Sequence, residues 1–98
     1  MWWYVYILKS LKNSMIYVGS TGDLKKRLSQ HNNGENQSTK AFLPWELEAS
    51  IAVRTEKQAR KLEMYLKKGS GKTFLKKRIL TVETFGKLNQ PIPDEDEA

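Results

Sequence analysis

The sequence predicts an α/β domain, a small, mainly antiparallel three-stranded sheet flanked by helices on both faces. Three observations carry that prediction. Two apolar segments rich in aromatic and β-branched residues, Trp3–Lys9 and Met15–Gly19, stand either side of a turn-forming loop, Ser10–Ser14, as in a hairpin. A third segment, Trp45–Val53, follows Pro44 and alternates apolar with polar. Between and after these strands, apolar residues recur at i, i+3, i+4 and i+7, the spacing of one helix face.

The first strand is apolar on both faces, with Trp3, Val5 and Ile7 alternating with Tyr4, Tyr6 and Leu8. Burial on both sides places it in the middle of the sheet. After the second strand, Ser20-Thr21 offers a helix N-cap, with Asp23 in the first turn. The helix that follows shows one face reading Leu24, Arg27, Leu28, His31, and ends at Asn32-Asn33-Gly34. Residues 35–44 read as an irregular, solvated connection. The third strand has Leu47, Ala49, Ile51 and Val53 on one face and Glu46, Glu48 and Ser50 on the other, which suits a sheet edge. A capping box, Thr55 with Gln58, opens a second helix running to about Lys68. Its inward face is Ala59, Leu62, Glu63 and Leu66. A basic third helix is expected from Thr73 to about Phe85, with Phe74, Leu75, Ile79 and Val82 inward and Lys72, Lys76 and Lys77 outward. Residues 1–88 read as one domain and 89–98 as an acidic, disordered tail.

Two charges stand out on the first helix. The leucines must face the sheet, so Arg27 and His31 turn the same way, which is costly unless a site needs them there. Glu63 lies beside the apolar stripe of the second helix in the same manner; an i+4 pair with Lys67 on the rim is the plainer alternative, but three inward charges on two helices read more as a site than a coincidence. Tyr6 and Tyr17 bring hydroxyls into the hairpin; hydrogen bonding to a backbone carbonyl is the plainer role for each.

Composition narrows the chemistry. The formal charge is +6, and four of the eleven acids are Asp94 to Glu97. Residues 1–93 therefore set seventeen basic residues against seven acids, the balance of a protein that meets a polyanion. Cysteine is absent, which excludes disulfides and thiolate metal sites, and one histidine cannot build a zinc cluster. The apolar start MWWYVYIL is too short for a signal peptide or membrane span, so a cytoplasmic protein is expected. Gly69-Ser70-Gly71-Lys72-Thr73 ends like a P-loop, but Leu66 stands where the first glycine belongs and a helix precedes it.

With Val5-Tyr6-Ile7 on the first strand, Tyr17-Val18-Gly19 on the second, and Arg27-Leu28 and His31 on the helix, the chain resembles the GIY-YIG nuclease superfamily. That superfamily includes homing endonucleases, some restriction enzymes and the amino-terminal domain of the excinuclease C subunit. The likeness is to small standalone bacterial members and covers roughly residues 2 to 80. It implies a metal-dependent endonuclease hydrolysing DNA, with structure-selective action in repair or recombination as one expectation. It also implies Tyr17 as general base, Tyr6 in a supporting role, Glu63 as the ligand of one Mg²⁺ or Mn²⁺, and Gly19 allowing close backbone approach. Many members carry an asparagine downstream of the glutamate helix; here none occurs before Asn89.

Phosphodiester hydrolysis gives these residues work. A lone carboxylate suits Mg²⁺, which keeps several waters. Arg27 offers a planar, permanently charged fork to phosphate oxygens. A free tyrosine is only about 0.1% phenolate at pH 7, so Tyr17 needs help, and His31 is placed to accept or relay its proton. Lys40, Lys72, Lys76 and Lys77 are candidate phosphate contacts. Two other readings use the same residues less fully: a nucleic-acid-binding module with little turnover, and an RNA-binding or ribosome-associated protein. No specificity domain is recognisable, which implies loose or structure-based preference or a protein partner.

Overall fold

The computed structural model describes residues 1–80. Its sheet is wholly antiparallel and ordered β2-β1-β3, with β1 at Trp3–Ser10, β2 at Ile16–Thr21 and β3 at Trp45–Val53. The central place of β1 follows from its two apolar faces. On one face Val5 and Ile7 join Val18 of β2 and are covered by α2 (Glu56–Leu66) through Ala59 and Leu66, with Leu75 and Leu80 beyond. On the other face Tyr6, Leu8 and Trp45 pack with Tyr17 and with Leu24 and Leu28 of α1 (Leu24–Asn32). Each fully buried Leu, Ile or Val contributes about 1.5–3 kcal/mol, so both helices are held mainly by these contacts. Against β3, the register shifts between Ile7 and Leu8, which pair with Ala49 and Leu47. Among the described residues no helix is long and apolar enough to cross a membrane.

Local chemistry sets the helix ends. The capping box on α2 is present in full: Thr55 Oγ1 accepts from the Gln58 amide, and the Gln58 side chain accepts from the Thr55 amide. Helix α1 closes in a Schellman arrangement around Gly34, at φ +76°, where the Gly34 and Glu35 amides donate to His31 and Gln30. Its start differs from expectation. Ser20 and Thr21 continue β2, and Asp23 is the N-cap, its carboxylate accepting from the Lys26 amide. Extended pairing of Val5 with Ser20 and Tyr4 with Thr21 outcompetes capping by those hydroxyls.

The third helix also begins earlier than its pattern suggests. Helix α3 spans Gly69–Phe74 and runs into a single π turn, Leu75–Ile79, closed by the Leu80 amide on the Leu75 carbonyl. Leu75 is buried, with Ile79 packed against the same core, whereas Phe74 is 42% exposed rather than in the core. Val82, Phe85, the 1–88 boundary and the acidic tail lie outside the described residues. At the start of the chain, Trp3 packs against the core while Trp2 is exposed beneath the Arg54 guanidinium.

Candidate active site at the edge of β2

Cross-strand register decides which side chains meet. Tyr6 opposes Gly19 and Leu8 opposes Tyr17, which puts both tyrosines on the α1 face. Val5 opposes Ser20 and Ile7 opposes Val18, so Ser20 points to the α2 face. Because β2 is an edge strand, groups from the two faces come together around its open side.

Gly19 makes the tyrosine arrangement sterically possible. A Cβ there would stand 2.5 Å from the Tyr6 Oη, 2.6 Å from its Cζ and 3.0 Å from Cε2 of Tyr17. The Tyr6 ring therefore lies directly against the Gly19 backbone, and the close approach expected at this glycine is made by a side chain of the protein itself.

Tyr6 is the first member of a buried hydrogen-bonded chain. Its Oη lies 2.8 Å from His31 Nε2, and His31 Nδ1 lies 2.8 Å from Thr39 Oγ1. His31 and Thr39 are fully buried. Thr39 Oγ1 also donates to the Asn36 carbonyl at 3.5 Å, which leaves it to accept from Nδ1–H and leaves Nε2 to accept from Tyr6. Burial pushes the Tyr6 phenol far above its ordinary pKa; Tyr17 and Glu63 add to the shift, and the Arg27 charge opposes it without reversing it. Burial, with Arg27 second, holds His31 below its ordinary value. Tyr6 thus keeps its proton and His31 stays neutral, as the chain requires.

Both ring nitrogens of His31 are engaged within this chain. Its ring stands 5.1 Å from that of Tyr17, edge to face, but its hydrogen bonds go to Tyr6 and Thr39. His31 thus holds the Tyr6 hydroxyl in place.

Glu63 reaches the same edge from α2. Ser20 Oγ donates to its Oε1 at 2.6 Å, and Lys67 Nζ donates to its Oε2 at 2.8 Å. Burial raises the carboxyl pKa, but the hydrogen bonds from Lys67 and Ser20, with the Lys67 and Arg60 charges, hold it below its ordinary value. The rim pair with Lys67 and the inward placement, alternatives on the sequence, are both present. Lys67 joins the two halves of the site, its ammonium 5.8 Å from the centroid of the Tyr17 ring. Among the described residues no three His, Cys, Asp or Glu side chains gather to hold a metal. One anionic carboxylate oriented by a serine fits a hard ion that brings its own water, and does not fit zinc.

Arg27 is half-buried, and no hydrogen bond or ion pair engages its guanidinium among the described residues. Its charge is felt by both Tyr6 and His31. An arginine without a carboxylate beside a cluster of phenols is a ready receptor for phosphate. Lys72 and Lys76 line a cleft that also includes Tyr17 and Lys67. Lys40 and Lys77 are exposed and do not line that cleft.

Three participants carry little signal in the sequence. Thr39 falls in a segment that reads as a solvated loop but is buried, held between His31 and, through its carbonyl, the Trp45 indole N–H. Ser20 reads as a cap, and Lys67 as the partner in a rim pair. Strand alternation carried past Gly19 places Ser20 toward α2; no local pattern marks Thr39.

Sequence and fold are both similar to those of known proteins. Residues 2–78 match the model of the GIY-YIG catalytic domain. A UPF0213 protein of Bacillus licheniformis is 37% identical over 70 residues, 70% of this chain and 71% of that protein. The structure-specific endonuclease subunit SLX1 of Paracoccidioides brasiliensis is 37% identical over 60 residues, 55% of this chain but only 14% of that subunit. Among solved structures, the solution NMR structure of a UPF0213 protein from Bacillus halodurans superposes with a TM-score of 0.51 at 26% identity, covering 92% of this chain and 99% of that one. The chain belongs to the GIY-YIG catalytic-domain family, among the small bacterial UPF0213 proteins.

Proposed function

We propose that the protein is a metal-dependent endonuclease that hydrolyses DNA phosphodiester bonds. One observation carries this reading: Lys67 links the Glu63 carboxylate to the Tyr17 ring at the edge of β2, and Tyr6 beside them feels the charges of both Glu63 and Arg27. Arg27 binds the non-bridging oxygens of the scissile phosphate and stabilises the charge that grows there. Tyr17, its phenol having first released its proton to bulk water, takes the proton of the attacking water as the new P–O bond forms and the bond to the leaving oxygen breaks. Tyr6, locked by His31 and Gly19, fixes the wall against which Tyr17 and the phosphate align. Glu63 would hold one Mg²⁺ or Mn²⁺ in competition with Lys67. Bound there, the ion supplies Lewis acidity to the phosphate and its leaving oxygen.

A partner that supplies specificity is part of this proposal, since the SLX1 relative is named as a subunit. The binding-module reading draws on a specific observation too: Lys67 already sits on the carboxylate oxygen a metal would use. Labelled single-stranded, duplex, flap and four-way-junction DNA incubated with Mg²⁺, Mn²⁺ or EDTA separates the two. Cleavage with either metal that EDTA abolishes supports the endonuclease. Salt-sensitive binding with no cleavage of any substrate supports the binding module.

A further inference from the structure

We propose that a cleft adjoining the site seats one unstacked nucleotide of the substrate strand, with its base on an apolar floor and its phosphates on lysines. The proposal rests on the nuclease reading for the identity of the strand. The cleft, about 300 Å³ in volume, lies between β2, the end of α2 and the π turn. Val18, Leu66, Leu75 and Leu80 form its floor. Lys67, Lys72 and Lys76 stand around it, and among the described residues Lys72 and Lys76 have no acidic partner. Tyr17 and Lys67 belong to both the cleft and the candidate active site, so the two are continuous.

The combination selects the ligand. A track for backbone phosphates alone needs cations but no apolar floor. An apolar ligand needs the floor but not three ammonium groups. A nucleotide carries an apolar base face and a phosphate on either side, and every base has that face. The volume is at the lower end of the range for small-molecule sites, about 300–1,000 Å³, and admits a single base. A base inside a duplex cannot enter until it leaves the stack. The cleft thus favours DNA with an unpaired nucleotide beside the cleavage position, such as a flap, a gap or a junction.

The test is binding by the full-length protein in EDTA, so that turnover plays no part. Fluorescence anisotropy compares single-stranded DNA, blunt duplex and a flapped duplex of matched length at several salt concentrations. Affinity at least about tenfold higher for the unpaired substrates is expected. The Lys72→Gln/Lys76→Gln protein, checked for parental thermal unfolding, is expected to lose that preference. Its log–log salt slope on single strands falls by about 1.4, or about 0.7 for each phosphate that is no longer neutralised. Equal affinity for all three substrates, or an unchanged slope and preference in the variant, overturns the proposal.

The occupant is identified separately. The chain has no cysteine, so Lys76→Cys carries a single benzophenone. Photocrosslinking to an unpaired nucleotide supports the proposal; crosslinking only to residues 81–98 or to a second copy, with DNA present, overturns it. Cleavage without substrate preference would leave the nuclease reading standing and remove the cleft. Preference without cleavage would do the reverse.

Discussion

Replacing Gly19 with alanine tests the packing that shapes the site. The added methyl would lie 2.5 Å from the Tyr6 Oη, whereas ordinary contact begins near 3.4 Å. Tyr6 must retreat by about 0.9 Å, and it is 1% exposed with Leu8 and Trp45 packed around it. Two costs follow. Overpacking a well-filled core costs about 1–3 kcal/mol. Drawing Tyr6 from His31 Nε2 leaves a buried acceptor unpaired, worth about 1–3 kcal/mol more. A destabilisation of about 3 kcal/mol is expected from these two effects together. With a urea m-value of about 2 kcal/mol/M, typical of a small domain, the midpoint drops by about 1.5 M at unchanged m. Chemical denaturation followed by tryptophan fluorescence measures it, and the His31 ring resonances report whether its bond to Tyr6 is broken. A destabilisation under about 0.5 kcal/mol with unmoved His31 resonances would refute the contact between Tyr6 and Gly19.

Other perturbations probe the remaining parts. His31 is the only histidine, and its native pKa is depressed, so the unfolded chain takes up the proton first as pH falls. Its contribution is therefore complete above about pH 6.5 and is lost as pH falls toward the lowered native value. The limiting slope is about 1.4 kcal/mol per pH unit, read by urea unfolding between about pH 8 and 5.5, and a flat profile there would contradict the depressed pKa. Thr39→Val strands the Nδ1–H and should cost about 1–3 kcal/mol, with the ¹⁵N shifts of the parent showing the Nδ1–H tautomer. Glu63 is held below its ordinary pKa, so its contribution is present above that value and lost as pH falls through the lowered one. Lys67→Gln should raise the Glu63 pKa in a ¹³C titration and, with the competing ammonium gone, tighten Mn²⁺ binding severalfold; weaker binding would count against Glu63 as the ligand.

How much of this is legible in the sequence depends on how local each signal is. The central position of β1 follows from its two apolar faces, and the α2 cap from Thr55 and Gln58, because alternation and capping are short-range. Gly34 ends α1 for the same reason. Ser20 misleads because a hydroxyl before a helix is a good cap, and only the partner strand reveals that it is still paired to Val5. Thr39 is invisible because its burial depends on a loop folding back over α1, and the loop's composition reads as solvated. Phe74 and Leu75 are adjacent apolar residues that the pattern takes as one face, and α3 turns only Leu75 inward. Spacing and resemblance single out Tyr6, Tyr17, Arg27, His31 and Glu63, yet not their division of labour. That His31 hydrogen-bonds Tyr6 is a matter of ångströms across a sheet, which no one-dimensional pattern holds.

The most direct measurement is single-turnover cleavage of a flapped duplex by the parent, Tyr17→Phe and Glu63→Ala proteins, purified identically and matched for folded fraction. Metal-dependent cleavage by the parent is expected, with a rate reduction of about 10²–10⁴-fold for Tyr17→Phe, one at least as large for Glu63→Ala, and DNA affinity retained in both. Cleavage at the parental rate in both variants would contradict the assignment of this strand edge as the active site.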